Sequence, residues 1–168
     1  MFRLILVVLL GVAAAMRFAS PMQAHAIRLL PGDDLVTSIQ DYCAANKLSA
    51  SAVISCVGSL SECTLRLAGA NEIVTLVEEL EIVSLVGTAC ADGEHHLHCS
   101  MAKCDGSVVG GHCKGAFTIR TTAEIVIAEL PGISFSRGFD AATGYKELHI
   151  AHADSSTSFS SPDAAVEG

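Results

Sequence analysis

The sequence of 168 residues lacks tryptophan, and only 5% of its residues are aromatic. Single-stranded nucleic acids bind by stacking their bases on aromatic side chains, so this composition argues against a base-stacking surface. The chain also lacks a basic run. Its 10 lysines and arginines stand against 18 aspartates and glutamates, which gives a formal net charge of −8. Such an acidic chain is a poor binder of phosphate backbones by itself.

Long hydrophobic runs are also missing. No stretch of about 20 apolar residues exists, so the sequence predicts no ordinary membrane-spanning helix. A shorter apolar run, residues 4–16, lies between Arg3 and Arg17. This pattern is typical of a secretory signal or a short membrane anchor. It also fits an over-long gene annotation, since Met16 or Met22 would start a compact domain equally well. We assign residues 1–23 to this apolar leader.

The seven cysteines form no CxxC pair, and an odd number cannot all pair internally. Several stand inside apolar runs, as Cys56 does. We therefore interpret them as small buried hydrophobic residues in a reducing compartment, with disulfides or metal thiolates as alternatives. This favours a cytoplasmic or nuclear location over a secretory or membrane-anchored one through residues 1–23.

The remaining pattern predicts one compact domain over residues 24–152. With 51% hydrophobic residues, the chain can bury a core. Asp33 or Asp34 is a suitable N-cap for one amphipathic helix at about residues 34–46. Around it we expect eight or so strands, at residues 25–29, 52–57, 63–67, 72–77, 81–88, 95–103, 108–113, within 117–130, and around 148–150. This predicts an α+β fold with a mostly antiparallel sheet and the helix packed on it. Residues 153–168 are rich in serine and acidic residues and predict a disordered tail.

Two short segments between predicted strands indicate hairpin turns. Glu78–Glu79 separates two segments rich in β-branched residues and is interpreted as a turn. Asp105–Gly106 is a strong hairpin signal between the strands at 95–103 and 108–113.

A histidine cluster carries the clearest chemistry. Residues i and i+2 of a strand share a face, so His96 and His98 point together while His95 points away. These two imidazoles can hold one metal ion if a neighbouring strand supplies a third ligand, and His112 is the candidate.

The register of the hairpin decides whether His112 can serve. A two-residue turn would pair Cys104 with Ser107 and set His112 opposite Cys99, on the wrong face. A three-residue loop with Gly106 in the left-handed region pairs Lys103 with Ser107 instead and sets His112 opposite His98. A bulge at Gly110–Gly111 would act similarly. In the three-residue register Cys99 and Cys113 face the core.

Three histidines with an open position favour Zn²⁺ and would allow water activation, although Co²⁺, Ni²⁺ or Fe²⁺ also suit imidazoles. A hydrolytic enzyme would further need a general base. Glu124 and Glu94 are the candidates, although a buried hydrogen-bond partner and a solvated loop residue, respectively, are the plainer interpretations. The plain alternative for the histidines themselves is an exposed or hydrogen-bonded cluster without metal.

The motifs together resemble the plants-and-prokaryotes-conserved (PPC) domain over nearly all of residues 24–152. The matching segments are His25–Leu29, Gly32–Leu35, Cys56–Leu60, Thr64–Arg66, Glu81–Thr88, Asp92–His98, Asp105–His112, Thr121–Val126 and Ala142–Tyr145. The chain is most similar to the prokaryotic-type, stand-alone members that contain histidines. The resemblance implies a trimer and a metal on His96, His98 and His112. The family usually has proline where His95 stands, so His95 is interpreted as an extra, solvated histidine.

In plants the same domain follows an AT-hook in nuclear proteins that bind AT-rich DNA, and there it mediates assembly and partner binding. This chain has no Arg-Gly-Arg-Pro hook, so DNA is expected only by analogy and is disfavoured by charge. We therefore expect a homotrimeric, metal-holding binding module with a regulatory, ligand-binding or DNA-associated role and with further protein partners. A zinc-dependent hydrolase using His96, His98 and His112 is the alternative.

Overall fold

The computed structural model describes residues 18–69 and 72–153, and in these ranges one helix and seven strands follow the order β1, α1, β2 to β7. Their bounds are β1 Gln23–Leu29, α1 Leu35–Ala45, β2 Ser51–Arg66, β3 Ile73–Ala89, β4 His95–Ala102, β5 Val108–Glu129, β6 Ile133–Asp140 and β7 Tyr145–His152. Every pairing between strands is antiparallel. The expected α+β fold with a mostly antiparallel sheet is confirmed.

The helix begins where its cap predicts. Oδ1 of Asp34 accepts a hydrogen bond from the backbone N–H of Thr37 at 2.9 Å, which satisfies one of the free donors of the first turn. Oδ2 of the same carboxylate accepts from the N–H of Phe117 at 2.7 Å, so the cap also ties the helix to β5. Leu35, Ile39 and Cys43 form the buried face of the helix. The predicted helix at 34–46 is confirmed to within one residue at each end.

Three strands, β2, β3 and β5, each join two segments that the sequence predicts as separate; in β5 these are 108–113 and 117–130. The segments at 52–57 and 63–67 belong to the single strand β2, which Gly58 does not end. β3 runs without interruption through Glu78 and Glu79, so the predicted hairpin there is wrong. Both carboxylates lie outside the core, where Glu78 pairs with Lys103 at 2.8 Å and Glu79 with Arg120. A strand can carry two adjacent glutamates when neighbouring strands offer cations.

The long strands close into a barrel-like sheet. Along the sheet the order is β1-β5-β2-β3-β4, and β4 pairs back with β5. The first part of β5 pairs with β4 and its last part with β1, while β2 pairs along β5 from His112 to Glu129. The core inside is aliphatic and contains Leu60, Leu85, Leu97 and Ile125, with Phe117 as its large aromatic residue.

The strand at 133–140 was not predicted, and with β7 it forms a separate two-stranded hairpin. The hairpin is anchored to the sheet by the N–H of Phe135, which donates to the carbonyl of Ser49 at 2.9 Å, and by the buried Ile133. Arg137 reaches across to the hydroxyl of Thr88 at 3.0 Å. The hairpin thereby covers the end of β3 that pairs with His95 and His96.

Two sequence predictions fall largely outside the described residues. These are the leader at 1–23, of which residues 1–17 are not described, and the tail at 153–168, of which residues 154–168 are not described. Within the described ranges, no helix has the length and apolar character needed to cross a membrane.

All seven cysteines are free thiols, and six of them are buried, with Cys104 as the exposed one. Burial raises the pKa of the Cys56 thiol to about 12 and that of Cys63 to about 11. Thiols of this kind stay protonated at neutral pH and behave as small apolar side chains. The interpretation of the cysteines as buried hydrophobic residues holds for these six.

Candidate metal centre

The hairpin between β4 and β5 has the three-residue loop that a metal site requires. The N–H of Lys103 donates to the carbonyl of Ser107 at 2.9 Å, and Gly106 has a left-handed φ of 81°. The resulting register pairs His98 directly with His112. The register on which the metal hypothesis depends is therefore confirmed, and a two-residue turn is excluded.

The three imidazoles converge on one point. Each of His96, His98 and His112 offers a ring nitrogen, and these three nitrogens all lie within 4.8 Å of one another. The two Nε2 atoms of His96 and His98 are 3.1 Å apart. Two nitrogens bound to a tetrahedral zinc at about 2.0–2.1 Å would be separated by roughly 3.3 Å. The spacing of the donors thus suits a single small ion.

The chemistry of the donors also fits a metal ion. Burial, followed by the charge of Lys114, lowers the pKa of His112 to about 4. Burial and the nearby Arg137 lower the pKa of His96 as well. Imidazole binds metals in its neutral form, and the lowered pKa values keep both rings neutral at neutral pH.

One nitrogen of the cluster has no partner. Nδ1 of His112 is buried and makes no hydrogen bond to any described residue. A buried imidazole nitrogen without a partner is unfavourable, and buried polar groups in native proteins are normally satisfied. This orphaned nitrogen is the second observation, besides the spacing, that fits a bound ion.

His95 lies outside the cluster, as the strand geometry predicts. Its Nδ1 is 2.9 Å from the side-chain nitrogen of Gln40 on the helix. The same Gln40 nitrogen donates to the carbonyl of Gly93 at 2.6 Å. His95 is half-buried rather than simply solvated, so this histidine links the start of β4 to the helix.

The opposite face of the sheet from the three imidazoles belongs to the buried core. Cys99 and Cys113 are buried in the core, as expected for the three-residue register. They are sequence neighbours of His98 and His112 and share none of their solvent-facing surface. Neither cysteine belongs to the group of three candidate ligands.

The two predicted carboxylates are placed differently. Glu124 is exposed on β5, opposite Arg28 of β1 and Val57 of β2. It stands twelve residues beyond His112 on the same strand and is not among the residues that line the cavity beside the histidines. Within one chain the fold does not bring Glu124 to the histidines. Glu94 does lie beside them, where it accepts a hydrogen bond from Lys146 at 3.1 Å.

A cavity of about 570 Å³ opens next to the cluster and is lined by His96 and His112. Its wall includes side chains that sequence reasoning missed: Arg66, Lys114, Arg137, Lys146 and Glu147. Arg137, Lys146 and Glu147 come from the β6–β7 hairpin. The alternation of apolar and polar residues from Ile133 to Phe139 was the available signal for this hairpin. No local pattern indicates where such a hairpin docks.

The fold and the cluster define a small α+β domain with a closed antiparallel sheet and three convergent histidines, two of which line one cavity. Residues 16–131 match the Plants and Prokaryotes Conserved (PCC) domain, and the chain belongs to this family.

Among solved structures, a hypothetical protein from Salmonella cholerae-suis is 38% identical, with a TM-score of 0.79 over 82% of this chain and 99% of that one. A metal-containing protein from Archaeoglobus fulgidus is 27% identical, with a TM-score of 0.67 over 81% of this chain and 99% of that one. A Bacteroides thetaiotaomicron protein to which DNA binding has been ascribed has a TM-score of 0.65 over 75% of this chain and 91% of that one. At 20% identity, this last likeness shows the fold alone.

Curated relatives of known name are also similar to the chain. The bifunctional protein GlmU of a Synechococcus strain is 46% identical over 129 residues, which is 77% of this chain. The chain spans about a fifth of the length of that relative, 21%. The similarity therefore concerns one region of a larger protein.

Proposed function

We propose that this protein is a metal-holding binding module in which His96, His98 and His112 bind a divalent transition metal, with Zn²⁺ favoured, and that it serves a regulatory or ligand-binding role. The convergence of three ring nitrogens within 4.8 Å carries the proposal. The orphaned Nδ1 of His112 supports it. The Archaeoglobus fulgidus relative, itself a metal-containing protein, is consistent with it.

The test compares the metal content of three purified full-length proteins: wild type, His98→Ala and His95→Ala. His98 is exposed, so its removal is expected to leave folding intact. We expect about one zinc ion per chain in wild type and in His95→Ala, and none in His98→Ala. The His95→Ala variant is the matched control because it removes an adjacent imidazole that is not in the cluster. Equal zinc in all three proteins, or none in wild type, would overturn the proposal.

We further propose a homotrimer, as the family resemblance implies. Four large apolar side chains, Ile54, Val57, Val83 and Val86, are each at least half exposed on β2 and β3. The pairing of Val53 with Gly87 and Ser59 with Glu81 places them at neighbouring positions in the sheet. Exposed apolar patches of this kind mark association surfaces. A second copy or further protein partners would bury them.

Sedimentation velocity tests the assembly. The wild-type mass in solution should be about three times the 17.4 kDa of one chain. Val57→Glu together with Val83→Glu introduces charges into the patch and should give monomers, whereas Glu81→Gln nearby should not. A monomeric wild type would exclude the trimer.

A DNA-associated role is the weaker proposal. Of the cations in the described residues, Lys103 and Arg120 are paired with glutamates, and four others line the cavity beside the histidines. This distribution leaves no basic stripe for a duplex to follow. Salt-dependent binding to AT-rich duplex DNA, absent in a Lys114→Gln variant, would favour this role instead.

One observation favours a hydrolytic enzyme as the second candidate: two carboxylates, Glu94 and Glu147, line the cavity beside His96 and His112. Zinc on three histidines supplies Lewis acidity and lowers the pKa of water. Glu147 is close enough to His96 for its charge to oppose the lowering of that histidine's pKa, and its carboxylate would accept a proton in the cavity. Glu94 is held by Lys146, so Glu147 is the better candidate.

Hydrolysis of p-nitrophenyl acetate and p-nitrophenyl phosphate by the zinc-loaded protein tests this alternative. A general base predicts that Glu147→Gln lowers turnover about 100-fold or more without changing the zinc content, while Glu124→Gln changes neither. No turnover by wild type, or equal turnover by Glu147→Gln, would leave the binding module as the function.

A further inference from the structure

Positive charge is concentrated around the cavity beside the histidines. Arg66 at the end of β2, Lys114 on β5, Arg137 on β6 and Lys146 on β7 all line it. They are four of the 10 lysines and arginines in a chain whose net charge is −8. When an acidic protein places its cations around one concave site, that site has a positive potential and attracts anions, unlike the rest of the surface.

The carboxylates nearby neutralise only part of this positive charge. Lys146 pairs with Glu94 at 3.1 Å, and Arg137 donates to the neutral hydroxyl of Thr88. Within residues 18–69 and 72–153, neither Arg66 nor Lys114 has a carboxylate within 4 Å. Glu94 and Glu147 are the two acidic residues of the lining, so four cations leave a surplus of two positive charges.

The surplus lies beside the imidazoles. Arg66, Lys114 and Arg137 line the same cavity as His96 and His112. These cations therefore face the same space as the two histidines. A bound dication would add to this surplus rather than cancel it.

We propose that this cavity binds a small-molecule dianion, either a phosphate monoester or a dicarboxylate, through Arg66, Lys114 and Arg137. Guanidinium groups form paired hydrogen bonds with the oxygens of both classes. A volume of about 570 Å³ is in the range of metabolite sites. The inference deepens the proposed ligand-binding function and rests on it, but it does not rest on the metal.

The test is calorimetric titration of the full-length protein with inorganic phosphate and with malonate, at constant ionic strength set with NaCl. Each titration is made on metal-free and on zinc-loaded protein, and zinc content is measured separately. The test variant is Arg66→Gln with Lys114→Gln. The matched control is Arg28→Gln with Arg120→Gln, which removes two exposed cations outside the cavity.

We expect wild type and the control to bind at least one of the two probes, and the test variant to bind at least about tenfold more weakly. All proteins should keep the same zinc content, because no cation changed is a candidate ligand. Preference for phosphate over malonate would assign the phosphate monoester class, and the reverse preference would assign the dicarboxylate class.

Failure of this inference and failure of the metal proposal give different results. Zinc bound at full content with no heat from either probe overturns the anion site and leaves the metal centre. Anion binding without any zinc sustains the anion site and overturns the metal centre. Equal weakening in the test and control variants would show nonspecific charge attraction and would also overturn the anion site.

Discussion

Replacing His112 with phenylalanine should change the stability of the protein in opposite directions with and without zinc. In the metal-free protein, Nδ1 of His112 is buried without a hydrogen-bond partner. Phenylalanine keeps a planar ring of similar size and removes that nitrogen. The same substitution removes one of the three candidate ligands. The two effects therefore oppose each other.

The magnitudes follow from burial and mass action. An unsatisfied buried polar group costs about 1–3 kcal/mol, and the half-buried ring of His112 places it near the lower end. We expect the metal-free variant to be equal to wild type or up to about 1 kcal/mol more stable. If the cluster binds zinc, zinc at 100 times its dissociation constant would stabilise wild type by about 2.7 kcal/mol. The variant, with two imidazoles, should gain little, so the order of stabilities reverses.

Urea denaturation, carried out once with a chelator and once with buffered zinc, measures the free energy of unfolding with and without metal. His95→Phe is the control. The control should respond to zinc as wild type does. The reasoning is refuted if His112→Phe is more than about 1 kcal/mol less stable than wild type in the chelator. It is also refuted if zinc stabilises both proteins equally.

Three further predictions concern the surroundings of the cluster. The pKa of His112 is about 4 in the folded chain and 6.5 in the unfolded chain, so the unfolded state binds more protons between these pH values. The free energy of unfolding of the metal-free protein should therefore fall as the pH falls from 6.5 to 4. Urea titrations should show that His112→Phe lacks this loss. In Gly106→Ala the added Cβ meets no atom within 4 Å, so the substitution should cost only about 1–2 kcal/mol of conformational energy. In Gly87→Ala the added Cβ would lie 1.9 Å from the carbonyl oxygen of His96. That substitution should cost several kcal/mol and weaken zinc binding. His25→Ala should cost about 1–3 kcal/mol through its lost hydrogen bonds while zinc content stays unchanged.

The parts of the fold that could be predicted are those decided by neighbouring residues. The Asp34 cap specifies the start of the helix because its carboxylate reaches backbone N–H groups one turn away. The loop at Asp105–Gly106 specifies its hairpin because Gly106 supplies the left-handed residue that a three-residue loop needs. The two-residue period of a strand then places His96 and His98 together. Local chemistry therefore suffices for the candidate ligands.

The errors arose where a distant strand decides the outcome. Gly58 reads as a strand end, yet it lies inside β2 because the backbone of β5 passes too close for a side chain. A Cβ at Gly58 would be 2.1 Å from the carbonyl oxygen of Thr122. Glu78 and Glu79 read as a turn until Lys103 and Arg120 are placed beside them. These partners lie more than 20 residues away in sequence.

The same division separates the two halves of the candidate site. The three histidines belong to the single β4–β5 hairpin, whereas the four cations of the cavity come from four strands. One of these cations, Arg137, lies on the separate β6–β7 hairpin. Four cations and two carboxylates around neutral imidazoles leave an excess of positive charge, which an anionic ligand would offset. A purely structural metal site would gain nothing from this arrangement, because the ion and the cations repel. The distribution of charge therefore argues for a ligand that carries negative charge, which a metal ion on the histidines would also attract.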